Sequence, residues 1–116
     1  MSFTSTCHCG AISATIDADI PTAGMVCNCS ICRRKGHILH FVPASQATIR
    51  APADKVSDYV FNKKMIHHQF CTSCGCSPFG HGADGDGNEM LAINLRCVPE
   101  CDLESLQINA VDGASL

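Results

Sequence analysis

From Ile12 to Asp17 the chain alternates apolar and polar residues, Ile-Ser-Ala-Thr-Ile-Asp, the period of a strand with one buried face. Pro21 and Gly24 break this pattern, and Met25-Val26 then leads into a cysteine-rich stretch. Ser30 to Gly36 reads as a turn or one short helical piece, and His37 to Val42 as a further strand. Thr48-Ile49-Arg50, Val56 to Phe61 and Met65 to Phe70 follow, separated by Pro52, Asp54 and an Asn62-Lys63-Lys64 turn. Ser77 to Gly80 suits a short edge strand. Gly80 to Asn88 reads as a flexible loop, and Met90 to Leu95 is the strongest strand candidate of the C-terminal half. Pro99 to Leu106 has room for one helical turn before Gln107 to Val111 extends again. No stretch sustains a helical period, so the pattern predicts an all-β chain of about eight or nine short strands.

Length and composition narrow this further. The 116 residues suit one domain, 1–116, without internal repeats or a low-complexity linker. Five Phe, one Tyr and no Trp offer few large side chains for a core, so a structural metal would add needed stability. The formal charge of −3, from eight Lys plus Arg against eleven Asp plus Glu, leaves no basic surplus for phosphates, and nucleic acid is not an expected partner. No run approaches the roughly 20 apolar residues of a membrane span, and the N-terminus lacks a signal-like pattern. The expectation is a cytoplasmic protein without membrane contact, in a compartment where paired cysteines serve metal or redox chemistry.

Ten cysteines change the picture most, because seven of them form three tight groups: Cys7-His8-Cys9, Cys27-Asn28-Cys29-Ser30-Ile31-Cys32 and Cys71-Thr72-Ser73-Cys74. Thiolates two or three residues apart grip one tetrahedral ion from a single turn, and so short a spacing rarely permits an unstrained disulfide. Two pairs supply four sulfurs, which close a structural zinc site. The middle group supplies three, which leaves a position for water or a substrate atom.

The ordered motifs Cys7-His8-Cys9-Gly10-Ala11, Cys27-x-Cys29-x-x-Cys32-Arg33-Arg34 and Phe70-Cys71-x-x-Cys74-Gly75 resemble the glutathione-dependent formaldehyde-activating (GFA) family, which includes the centromere protein V type domain. The resemblance runs from Cys7 to about Leu95. It implies a β-tent of packed antiparallel sheets and two zinc ions per chain. Cys7, Cys9, Cys71 and Cys74 would hold a structural ion, and Cys27, Cys29 and Cys32 a reactive one. It also implies a carbon–sulfur lyase type of reaction, in which the thiol of glutathione adds to formaldehyde or leaves it again.

Three thiolates weaken the Lewis acidity of zinc, so a proton-handling side chain is expected nearby. His37, His40, His67 and His68 are the candidates, since histidine titrates near neutral pH, and His37, His40 and His68 form the catalytic set. His37 and His40 lie three apart on a strand and should face opposite sides. Arg33 and Arg34 are candidates for a substrate carboxylate, with Lys35 a weaker one. The glycine-rich segment from Gly80 suits an ordinary hairpin connection better than a lid, and Asp84, Asp86 and Glu89 lack the spacing of a calcium loop. Cys76, Cys97 and Cys101 are left over. A zinc-stiffened binding module without turnover is the main alternative to an enzyme. A nucleic-acid zinc ribbon and a Cys71-x-x-Cys74 oxidoreductase fit poorly, for want of positive charge and of a βαβ context respectively.

Overall fold

The computed structural model describes residues 1–60 and 66–115. Ten strands are present among them: β1 (Phe3–Thr6), β2 (Ser13–Ile16), β3 (Ala23–Cys27), β4 (Leu39–Pro43), β5 (Ala47–Arg50), β6 (Val56–Tyr59), β7 (His68–Cys71), β8 (Phe79–Ala83), β9 (Glu89–Asn94) and β10 (Gln107–Val111). One helical turn, α1 (Cys32–Lys35), and four short 3-10 turns are the only helical elements there. None is long and apolar enough to cross a membrane. The Asn62-Lys63-Lys64 turn, and the ends of the strands expected on either side of it, lie outside the described residues.

The strands form a three-stranded sheet β1-β2-β5, a five-stranded sheet β10-β3-β4-β9-β8 and the pair β6-β7. Every pair is antiparallel except β10 with β3, where Val111 stands opposite Cys27 in a parallel register. All three sheets contribute to one core: Phe3, Ala14 and Ile16 from the first, Val42, Leu91 and Ile93 from the second, and Cys71 from the third. The all-β, packed-sheet architecture expected from the sequence is the one observed.

Period-2 alternation gives the large sheet two apolar faces. Ile38, Val42, Leu91, Ile93 and Leu95 point into the core, whereas Met25, Leu39, Phe41 and Ala92 line a cavity on the other side. Gly24 lies on the core side of β3 because nothing larger fits: a Cβ there would run into Ile38 Cγ2 and lie 3.2 Å from Leu95 Cδ1.

Two segments differ from the sequence reading for physical reasons. β1 is hard to see because its second inward position is Ser5, fully buried, whose hydroxyl donates to the carbonyls of Pro78 at 2.8 Å and Asn94 at 3.3 Å. The glycine-rich stretch is strand as far as Ala83, not loop from Gly80. A Cβ at Gly80 would sit 3.0 Å from the His67 carbonyl, so glycine allows the close pairing of His67 with His81. The connection that remains is tight: the Asp84 carboxylate accepts backbone N–H bonds from Asp86 and Asn88, each at 2.9 Å.

Gly24→Ala should therefore lower unfolding stability by ~1–3 kcal/mol, read from urea denaturation, because β-branched Ile38 cannot yield cheaply.

Candidate functional site

The first cysteine pair follows β1 and the third group ends β7, so the sheet arrangement brings two knuckle turns together. Gly10 and Gly75 close these turns with φ of 82° and 79°, a region that L side chains rarely adopt. The sulfurs of Cys7, Cys9, Cys71 and Cys74 all lie within 4.8 Å of one another. Cys7 to Cys9 is 3.7 Å and Cys9 to Cys71 is 3.5 Å. Ligands on a tetrahedral zinc at 2.3 Å are about 3.8 Å apart, so the set fits that ion. Backbone N–H groups of Ile12 and Ser73 donate to Cys7 Sγ and Cys71 Sγ, both at 3.4 Å, and the backbone bonds from Cys74 and Ser73 lower the Cys71 thiol pKa.

The ionisation of these four groups is frustrated in a way that a cation resolves. Backbone N–H groups of Cys76 and Cys9 hold the Cys74 thiol down at about 5. A backbone bond at Ala11 favours the Cys9 thiolate, yet Cys71, burial and Cys7 push that thiol up to about 11. Four adjacent sulfurs cannot all carry charge by themselves, and a divalent ion lets them.

Cys27 ends β3, Cys29 sits in the loop and Cys32 opens α1; their sulfurs also lie within 4.8 Å of one another. Among the described residues no further His, Cys, Asp or Glu joins this group. The Cys29 N–H donates to Cys27 Sγ at 3.4 Å. Burial, followed by the neighbouring Cys29 and Cys27, pushes the Cys32 thiol up to about 12.

A clamp that the sequence did not reveal supports this loop. Asn28 Nδ2 donates to the Asp112 carboxylate at 2.9 Å, and Asn28 Oδ1 accepts from the Ala114 N–H at 2.9 Å. Between these contacts a Cβ on Gly113 would collide with Cys27 Sγ and lie 3.3 Å from Cys29 Cβ. The parallel β10–β3 pairing delivers the C-terminal segment to this spot.

Cys27, Cys29 and Cys32 line a largely apolar cavity of about 230 Å³. His37 and His68 line it too. His40 does not, because it shares the parity of core residues Ile38 and Val42 on β4. Burial, then the charges of Lys35 and His68, lowers His37 to about 4, and burial likewise lowers His68 and His40. At pH 7 these imidazoles are neutral. His67 lies outside the cavity lining and contacts Asp58 through Nδ1 at 3.1 Å.

Arg33 and Arg34 are exposed and line neither this cavity nor the cleft beside it; Arg34 Nη1 donates to the Ser30 carbonyl at 2.7 Å. Lys35 is exposed as well, but its Nζ donates to Ser77 Oγ at 3.0 Å and lies 5.4 Å from the Phe70 ring centre. It lines a neighbouring cleft of about 410 Å³ with Arg96, whose Nε is held by the Gly36 carbonyl at 2.9 Å. Among the described residues neither cation has a carboxylate partner. The cleft shares His37, Ser77 and Asn94 with the apolar cavity, and Cys76 and Cys97 lie along it, whereas Cys101 is buried in the core. Asn94 is buried, and its amide donates to the Ser77 carbonyl at 3.1 Å. Its sequence signal was a polar residue within the otherwise apolar run Met90 to Leu95.

A family model described as "Glutathione-dependent formaldehyde-activating enzyme" matches residues 2–108. The chain belongs to the GFA family. A crystal structure of a Rhodobacter sphaeroides protein, a structural genomics target, shares the fold, with a TM-score of 0.75 at 24% identity over 91% of this chain and 99% of that one. The two cysteine clusters, able to hold metal ions, thus sit within a GFA chain, and the family description names glutathione as the small thiol. The Asp112–Ala114 part of the clamp lies beyond the residues that the family model matches.

Two outcomes are expected. Gly113→Ala should weaken metal binding at the three-cysteine group by about tenfold or more and leave the four-cysteine group loaded, read by competition with a chromophoric chelator. His37 should titrate below pH 5 in an NMR pH series. Because its folded pKa of about 4 lies below the unfolded value, its contribution to stability is full above pH 6.5 and is lost as pH falls towards 4; His37→Gln should flatten that part of the stability profile.

Proposed function

We propose that this protein is a zinc-dependent carbon–sulfur lyase type of enzyme that adds the sulfur of glutathione, or of a similar small thiol, to an aldehyde carbonyl and catalyses the reverse. The observation that carries the reading is the three-cysteine group with no fourth described ligand, opening into a cavity that also holds neutral histidines. Two ions are proposed, one structural at Cys7, Cys9, Cys71 and Cys74 and one at Cys27, Cys29 and Cys32. Zinc at the second group, when bound, supplies Lewis acidity and lowers the pKa of an incoming thiol.

The chain's own residues do the rest. His37 or His68, neutral at pH 7, accepts the thiol proton. The sulfur lone pair forms the C–S bond, the carbonyl π pair moves to oxygen, and the imidazolium returns the proton there. No oxidant or reductant is consumed. Lys35 and Arg96, which line the adjoining cleft, would receive the thiol's carboxylates, a role that the sequence suggested for Arg33 and Arg34. His40, on the opposite face of β4, is left to a structural role.

The test is the rate of S-hydroxymethylglutathione formation, followed by NMR exchange with zinc-loaded protein. Cys29→Ser should cost at least about a hundredfold while the first ion stays bound, and His37→Gln about ten- to a hundredfold. Arg96→Gln should raise the KM for glutathione about tenfold with little change for cysteamine, which has no carboxylate. Saturable glutathione binding with no acceleration would instead make the protein a binding module.

A further inference from the structure

The cavity is far larger and more apolar than formaldehyde requires. Formaldehyde has one carbon and no apolar substituent, and one water's share of liquid volume is only about 30 Å³. The chamber beside the three cysteines measures about 230 Å³, with walls dominated by Met25, Ile31, Leu39, Phe41 and Phe79. It does not end there. A second cavity of about 270 Å³ shares Phe41, Ile66 and Ala92 with it and continues to Met90 and Ala83.

The sheet register turns these two cavities into one trough. Leu39 stands opposite Asn94, Phe41 opposite Ala92 and Pro43 opposite Met90, so the same face of β4 and β9 leads outward from the cysteines. The four residue steps of strand from Asn94 to Met90 span about 13 Å. Phe41 and Ile66 are 47% and 54% exposed along this route.

The polar side lies in the other direction. Lys35 and Arg96 line the cleft that meets the chamber at His37, Ser77 and Asn94. A charged thiol thus has its own approach, and the apolar trough is left for the carbonyl compound.

From this division we infer that the aldehyde partner carries an apolar substituent, a medium-length alkyl or aryl group, lying in the trough from Phe41 and Ala92 to Met90. The inference rests on the thiol-addition reading for its chemistry. The bonds are those given above: C–S forms, the C=O π bond breaks, and the thiol proton ends on oxygen, giving a hemithioacetal that bears the apolar group.

The test compares S-hexylglutathione with S-methylglutathione by calorimetry on zinc-loaded protein. Each fully buried methylene is worth about fourfold in affinity, so a hexyl group partly covered by the trough should bind at least about tenfold more tightly than methyl. Met90→Lys should abolish that ratio, and Phe41→Ser, at a half-exposed position, should reduce it if Met90→Lys fails to fold. In turnover, the kcat/KM ratio of hexanal to formaldehyde should exceed ten and fall in the same variants. Equal affinities for the two S-alkyl compounds would overturn the inference. Binding of hexan-1-ol, seen by saturation-transfer NMR and lost in Met90→Lys, with no binding of either glutathione derivative would retain the trough and reject the glutathione reading. Absence of hexan-1-ol and S-hexylglutathione binding would reject the trough itself.

Discussion

Four sulfurs from two turns far apart in sequence converge where β1 of the three-stranded sheet and β7 of the β6-β7 pair end, so one cluster lies between two of the three sheets. Cys7 and Cys71 are buried at 2% and 0% exposure, and they tie the end of β1 to the end of β7 across 61 intervening residues between Cys9 and Cys71. Thiolates in such a setting are costly without a counter-charge, and reduced thiols alone would leave the knuckle N–H groups weakly matched. Structural zinc in finger peptides contributes an apparent ~10–16 kcal/mol, against a total stability of ~5–15 kcal/mol for a typical domain. An ion here would thus weigh as much as the net balance of the whole fold, which suits a chain without Trp and with few other aromatic side chains.

One cluster offers four sulfurs and the other three. β3 ends in Cys27 and α1 begins with Cys32, so the three-sulfur group sits at the margin of the large sheet instead of inside the core. The same strand alternation that buries Ile38, Val42, Leu91 and Ile93 turns Leu39, Phe41 and Ala92 toward the cavity beside that group. Core and site are two faces of one sheet. The C-terminal segment completes the arrangement, since Asn28, Asp112 and Gly113 hold the cysteine loop from the side away from the sheet's neighbouring strand β4.

The cysteine groups and the strand periods were legible because both are local: spacing fixes what one turn can grip, and alternation fixes which side chains share a face. Opposite placement of His37 and His40 followed from parity in the same way. Other features depend on partners remote in sequence. β1 was obscured by Ser5, which satisfies its hydroxyl at Pro78 and Asn94, and β8 by glycines that admit the His67 backbone. Arg33 and Arg34 adjoin the cysteines in sequence, yet Lys35 is the basic residue of this turn whose Nζ reaches Ser77 Oγ at the cleft. Asn94 reaches the cavity through its register opposite Leu39, and Arg96 in the turn that follows is held at the cleft by the Gly36 carbonyl.

Anomalous diffraction at the zinc edge, with and without glutathione, would distinguish the sulfur coordination of the two cysteine groups. Two ions are expected: one with four cysteine sulfurs that glutathione leaves unchanged, the other with three cysteine sulfurs and a fourth position that exchanges when glutathione is added. A middle group without metal in fully loaded protein, or an ion there saturated by a fourth protein ligand, would contradict this expectation.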